Sequence, residues 1–421
     1  TGPELRYILK NAQPRLFVFG KDFCRSVCEL ELRNENPHML LACPGLGQSW
    51  DEILGFESET QKFDGKKPFL TKSLAPADPE EPHVIMYTSG TTGAPKGAVL
   101  SYRKTLFNCL NADIFFKLHF DDIMLIILPL FHSGGLFIQA SPILYKGGTM
   151  IIHAKFDAVR TYADIEQYGV TKFLGVPTIY RALLEKDLPI QKNVSTLKVS
   201  AIGGEKVTPD VQELCREAGF PVRQIMGQTE TSILFWASEE DSIKKPGTVG
   251  RPVFHSEVIL MDDTGRRVKT GEVGEIAVRG SIMMKEYWQD PVRTEETIRN
   301  GWLHTGDLAR MDEQGYFFLV DRVKNMYISG GENVYPVEVE AALKTHTAVK
   351  DAAVVGVPNE KWGEKGKAFV VLKKGIDVTC ESLLSHCEGQ LARYKWPGEI
   401  VFCEEFPRTA LGKVRKMMID P

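Results

Sequence analysis

Residues Tyr87–Gly97 read YTSGTTGAPKG, four Ser or Thr hydroxyls and three glycines around a single cation, Lys96, directly after the apolar run Val84-Ile85-Met86. A chain leaving a strand into such a string is predicted to fold it as an anion-holding loop. Glycines let backbone N–H groups turn inward, hydroxyls add donors, and lysine supplies compensating charge. The expected ligand is phosphate. Taken alone, this composition also suits a solvated turn. No GKS or GKT follows, so the loop is not of the Walker type. Ala98-Val99-Leu100 is predicted as a short strand, with Ser101 as the N-cap of a helix.

At 421 residues the chain exceeds what one core usually holds, so a large domain with a smaller partner is expected. From Val84 to Met226 apolar runs alternate with helical patterns. Strands are predicted at Ile123 to Leu128, Thr149 to His153, Lys172 to Gly175, Lys198 to Ile202 and Val222 to Met226. Helices over Asp157 to Tyr168 and Thr208 to Ala218 are closed by Gly169 and Gly219, residues suited to a left-handed cap. This rhythm argues for an α/β fold with a mostly parallel, helix-covered sheet.

After about Gly247 the texture turns β-rich, with strands at Glu257 to Met261 and Glu275 to Val278. Beyond residue 324 a helix opens at Tyr335-Pro336 and runs through Leu343. Strands at Val349 to Val357, Ala368 to Leu372 and Ile400 to Cys403 and a helix at Glu381 to Leu391 complete a small α+β unit. The expected division is 1–322 as an N-terminal domain with its β-rich subdomain at about 247–322, a hinge at 323–324, and a C-terminal domain at 325–421.

Net charge −4 disfavours nucleic acid as a partner, and no apolar run approaches the ~20 residues of a membrane helix. Eight cysteines without C-x-x-C spacing read as free thiols of a reducing compartment, and no secretory signal opens the sequence; a cytoplasmic protein is expected.

The string at 87–97 resembles, position by position, the phosphate loop of the adenylate-forming superfamily: acyl-CoA synthetases, luciferases and peptide-synthetase adenylation domains. The resemblance runs across nearly the whole chain. It implies that Thr88, Ser89, Gly90, Thr91, Thr92, Gly93 and Lys96 hold ATP phosphates. In Met226-Gly227-Gln228-Thr229-Glu230-Thr231 it gives Thr229 a phosphate contact and Glu230 a share in holding Mg²⁺. Met226 departs from the tyrosine that usually stacks on adenine there. Ile202-Gly203-Gly204-Glu205 would border adenine and the acyl group.

Asp307, in Trp302-Leu303-His304-Thr305-Gly306-Asp307, matches the residue that accepts from the ribose hydroxyls, and Arg322 the one that reaches ribose or α-phosphate. His132, in Pro129-Leu130-Phe131-His132-Ser133-Gly134-Gly135, would lie beside the acyl carboxylate as a gate or positioning group. Lys413, in Pro407-Arg408-Thr409-Ala410-Leu411-Gly412-Lys413, matches the catalytic lysine that bridges carboxylate and α-phosphate. Lys324 matches the hinge, and Ser329, Gly330 and Gly331 match the loop lining the CoA tunnel.

The resemblance therefore implies an ATP-dependent acyl-CoA synthetase that uses Mg²⁺ and takes coenzyme A as substrate. In the family a carboxylic acid attacks the α-phosphorus of ATP, giving acyl-AMP and pyrophosphate, and the CoA thiol then displaces AMP. Alternatives are an adenylation enzyme charging a carrier protein, a luciferase-type oxygenase, and a non-catalytic nucleotide-binding relative. The last should have lost Lys413 or Glu230, and both are present. No basic residue in the acyl-site motifs suggests a second substrate carboxylate, which leaves medium-chain aliphatic and aromatic acids open. The opening LRYILKNAQPRLFVFG matches a stretch that in the family follows a further N-terminal segment, so the domain is expected to be truncated at its start and a homodimer surface to lie out of view.

Overall fold

The computed structural model describes residues 2–24, 27, 30, 40–42, 77–88, 95–185, 187–190, 193–205, 207–388, 390–407, 414, 416 and 419. The chain groups into two compact units, Thr1–Leu106 with Met283–Glu296, and Phe107–Ile282 with Thr297–Pro421.

In the first unit, helix Gly2–Ala12 buries Leu9 against Val27 and Leu30. Strand Pro82–Thr88 pairs antiparallel with Lys96–Ser101, and Glu286–Tyr287 adds to the other edge of the latter. Ser101 Oγ accepts the Lys104 N–H at 3.2 Å, capping helix Tyr102–Phe116 as its sequence predicts. Asn11 ties the helix to this hairpin: its side-chain oxygen accepts from the Tyr87 hydroxyl at 2.5 Å and its carbonyl from Trp288 Nε1 at 3.0 Å.

The second unit is built on a seven-stranded sheet. Its spatial order is Arg251–Pro252, Ser232–Ala237, Val222–Gln228, Val199–Ile202, Lys172–Gly175, Ile123–Ile126, Thr149–Ile152. The last five strands are parallel to their neighbours and the first two antiparallel, the mostly parallel α/β arrangement that the alternating sequence predicts. Parallel strands covered on both faces are apolar throughout, and Lys172–Gly175 and Val199–Ile202 are buried at every residue.

Tyr162, Ile165, Tyr180, Val211 and Cys215 from the covering helices close on Leu125, Phe173 and Ile202 of the sheet. Each large apolar side chain sealed this way contributes about 1.5–3 kcal/mol. Caps set the helix ends: Asp157 accepts from Arg160 N at the start of Ala158–Tyr168, and Gly169 closes it at φ 63°. Strand Val222–Gln228 outruns its predicted end at Met226 because Ser232–Ala237 folds back and pairs along it.

A five-stranded antiparallel sheet follows, made of Glu257–Met261, Val273–Arg279, Trp302–Met311, Ile298–Arg299 and Phe317–Arg322. The last sheet joins Tyr327–Ser329, Glu332–Val334, Val349–Asn359, Gly363–Leu372 and Glu399–Cys403. Helices Pro336–Lys344 and Cys380–Cys387 pack Val339, Leu343 and Leu383 against Tyr327, Val354 and Val370 of that sheet. The second helix ends before its predicted Leu391, because Glu388 is already extended. Among the described residues no helix is long and apolar enough to cross a membrane, and Cys24, Cys109, Cys215, Cys380, Cys387 and Cys403 are free thiols.

Candidate active site

Parallel α/β sheets seat ligands where strands end, because loops there carry small residues and free backbone donors. In this sheet the parallel strands end at Ile126, Ile152, Gly175, Ile202 and Gln228. Gly203 follows one of these ends and touches its neighbour: a Cβ on it would sit 2.4 Å from Ile225 O. Gly204 takes φ +81°, and an added Cβ would lie 3.3 Å from Val176. The Gly203 turn and the strand carrying Met226 are therefore in direct contact. Glu205 follows in the same turn.

The chain reverses tightly at Gln228. Thr231 N donates to Gln228 O at 3.1 Å, placing half-buried Thr229 and Glu230 at the tip of the turn. Gly227 is required there, since a Cβ would overlap Ser232 O at 1.7 Å. Met226 faces Phe235 in register and is partly exposed. His132 lies in the turn after Ile123–Ile126, its N–H donating to Pro129 O at 3.1 Å. It leads into a π-helical stretch, Gly134–Ala140, a geometry common at functional sites.

In the first unit, Thr88 and Lys96 face each other in register, so the phosphate string connects the two strands of a hairpin. Ser89, Gly90, Thr91, Thr92 and Gly93 lie outside the described residues. Lys96 Nζ stands 5.1 Å above the Tyr287 ring, a partner absent from the sequence reading. Burial, with the nearby Tyr7, pushes the adjacent Tyr87 hydroxyl up to about 12, keeping it a neutral donor.

Asp307 and Arg322 face each other on paired strands and form an ion pair of 2.8 Å. The Trp302–Asp307 motif is strand, with a local break: His304 pairs with Ala277 and Leu308 with Glu275, so Thr305, Gly306 and Asp307 stand opposite Ile276 alone. Asp321 precedes Arg322. Its Oδ2 accepts from Val337 N at 2.9 Å, in the first turn of helix Pro336–Lys344, and its Oδ1 from Arg322 N at 2.7 Å and Asn325 Nδ2 at 3.0 Å. Lys324 occupies the short turn between these strands and the last sheet.

Ser329, Gly330, Gly331 and Glu332 form the next tight turn, with both glycines at positive φ and Gly330 N donating to Trp362 O at 2.8 Å. Lys413 lies outside the described residues; Phe406 before it and Val414 and Ile419 after it pack against Ala353, Phe369 and Val371. Among the described residues no three His, Cys, Asp or Glu side chains converge on a metal position.

Sequence reasoning missed Glu275 and Tyr287, which touch His304, Gly306 and Lys96 through pairings distant in sequence, and missed the bond that Asp321 accepts from Val337 N.

Comparison with known proteins gives these geometries a chemistry. The AMP-binding enzyme family matches residues 1–288, and the AMP-binding enzyme C-terminal domain matches residues 338–413. The chain is 38% identical over 371 residues to an indoleacetate–CoA ligase of Aromatoleum aromaticum, covering 86% of this chain and 73% of that protein. It is 40% identical over 334 residues to a feruloyl-CoA synthase of an Amycolatopsis species, covering 79% and 68%. The crystal structure of ATP-bound MatB from Rhodopseudomonas palustris matches with a TM-score of 0.86 at 29% identity, over 100% of this chain and 81% of that one. With most of its length inside the family and relatives at this identity, the chain belongs to the AMP-binding enzyme family and is an ATP-dependent, AMP-forming acyl-CoA ligase.

Proposed function

We propose that the acid is an aromatic carboxylic acid, and that the residues named above divide the work between two half-reactions. In the first, an oxygen of the ionised carboxylate attacks the α-phosphorus of ATP and pyrophosphate leaves. In the second, the CoA thiol attacks the acyl carbon, AMP leaves with the electron pair, and the thiol proton passes to solvent. The carboxylate arrives already ionised, so His132 positions it and no general base is needed.

Thr88, Lys96, Thr229 and the loop at 89–93 take the phosphates, which need charge neutralised as it shifts to the leaving group. Glu230 supplies the carboxylate for Mg²⁺, whose chemistry when bound is to screen phosphate charge. Asp307 and Arg322 fix the ribose, and Gly203 to Glu205 with Met226, Gly227 and Gln228 border the base. Lys413 bridges carboxylate and α-phosphate in the first step. The domain beyond Lys324 then turns, withdrawing Lys413 and presenting Ser329, Gly330 and Gly331 to the pantetheine arm.

The observation that carries this reading is the contact of the Gly203 turn with the strand leading to Gln228–Thr231, which sets two ligand-type loops side by side at the carboxyl ends of one sheet. The aromatic acid is supported by relatives that act on indoleacetate and make feruloyl-CoA. ATP and CoA as substrates suit a cytoplasmic protein, and net charge −4 suits one without a nucleic-acid partner.

The test is pyrophosphate release with indole-3-acetate, ferulate, benzoate, octanoate and decanoate, each with and without CoA. Conversion of the aryl acids to thioesters in preference to the aliphatic ones is expected. Preference for octanoate or decanoate would overturn the substrate assignment, and pyrophosphate release without any thioester would overturn the second half-reaction.

A further inference from the structure

We propose that Glu275 is a positioning residue for the nucleotide site, holding open the bulge that presents Asp307. The proposal rests on the reading of Asp307 as the ribose partner. Between the paired positions His304–Ala277 and Leu308–Glu275, one strand spends three residues where the other spends one. Extruding residues from a ladder strands their backbone donors, and a buried donor without an acceptor costs about 1–3 kcal/mol. The donors here are taken up by side chains.

Glu275 Oε1 accepts the Gly306 N–H at 2.9 Å, and its Oε2 accepts from His304 Nδ1 at 2.8 Å. The Asp307 N–H donates to Thr305 Oγ1 at 3.1 Å, and that hydroxyl donates to Ile276 O at 2.9 Å. Gly306 takes φ +73°, a conformation that the bulge requires and other residues resist. Arg299 Nη2, 3.4 Å from Oε2, adds a more exposed charge.

One carboxylate, 17% exposed, thus takes the backbone donor at the middle of the extruded segment and ties it to the His304 side chain at the segment's start. The bulge ends with Asp307 facing Arg322 on the next strand. Without the carboxylate the Gly306 N–H loses this acceptor, so the segment is free to slip toward regular pairing and turn Asp307 away from the ribose. Glu275 reaches the nucleotide only through Asp307.

The experiment measures KM for ATP, acid and CoA and kcat for the full chain carrying Glu275→Ala, Glu275→Asp or Glu275→Gln, with Asp307→Ala in parallel. Glu275→Ala and Glu275→Asp are expected to raise the KM for ATP about tenfold while those for acid and CoA stay within about twofold. Glu275→Gln, whose amide oxygen still accepts from Gly306, is expected to fall within about threefold of the unmodified enzyme. A residue serving stability alone would lower the active fraction and leave the KM for ATP unmoved.

If Glu275→Ala does not fold, Glu275→Asp decides, because it keeps the charge and shortens the reach by one methylene. An unchanged KM for ATP in the folded variants, with Asp307→Ala raising it, overturns the positioning role. An unchanged KM in Asp307→Ala instead sinks the ribose reading on which the proposal stands.

Discussion

Arg322 Nε lies 2.8 Å from Asp307 Oδ1, and the two residues face each other in register on adjacent antiparallel strands. The Asp307 side chain is 10% exposed and that of Arg322 44%. So sheltered a carboxylate requires a counter-charge, while a guanidinium with five donors can keep one N–H on Asp307 and offer others outward. Arg322→Ala is expected to lower kcat/KM for ATP by at least about tenfold and to lower the melting temperature, because Asp307 loses its counter-charge; initial rates of pyrophosphate release and a thermal melt read the two effects. Unaltered kcat/KM would remove Arg322 from the site.

Gly203→Ala tests the contact between neighbouring strand ends. The new methyl would meet Ile225 O at 2.4 Å and Ile225 Cγ1 at 2.8 Å, so the strand leading to Gln228 has to shift. Overpacking of this kind costs about 1–3 kcal/mol, and the same shift displaces the Thr229–Glu230 tip. A lower melting temperature together with a fall of about tenfold or more in kcat is expected; a fully active variant would show that the turn tolerates a side chain.

Lys172 is buried, its ammonium 3.4 Å from buried Asp122 and 3.3 Å from Lys117 O, and burial lowers its affinity for a proton despite Asp122. The unfolded chain holds that proton more tightly, so this group makes stability rise with pH between the depressed folded value and the ordinary lysine value. Lys172→Met should destabilise by about 1–3 kcal/mol, since Asp122 loses its buried cation but keeps half-exposed Lys198 and hydrogen bonds from His119 N and the Thr171 hydroxyl. It should also flatten the alkaline rise. Urea unfolding across that range checks both, and parallel pH profiles for the two proteins would contradict the assignment.

Lys413→Ala separates the half-reactions. Formation of acyl-AMP from ATP should be abolished, while thioester formation from supplied acyl-AMP is spared. Equal loss in both assays would refute the assignment of Lys413 to the first step alone.

Lys324→Pro should give the reverse pattern. Its fixed φ stiffens the turn Val323–Asn325, so adenylation is retained and thiolation falls. Single-turnover assays of each step decide it, and undiminished thiolation would move the hinge elsewhere.

What the sequence revealed was local or periodic. Asp157, Gly169 and Ser101 act within a turn of where they stand, and their caps form as read. Alternating apolar runs fixed which segments become parallel strands, because a strand covered on both faces needs an unbroken apolar run. The phosphate string, the Gly203 turn and the Gln228 turn were legible because each concentrates its chemistry in a few consecutive residues.

Glu275 was not legible. It is one charged residue in a strand, and its meaning arises only from a register break opposite residues 305–307. Register depends on pairing between distant segments, about which local composition says nothing. The same holds for Tyr287 over Lys96, far apart in the chain.

Asp321 ends a strand and also caps helix Pro336–Lys344 through the Val337 N–H. The swivel proposed at Lys324 would have to break that bond first. Under that proposal the small domain would work less like a freely jointed arm than like a door with a catch, and the catch would sit beside the axle. Tuning how often the door swings would then fall to a single carboxylate, the one that also receives the Arg322 N–H.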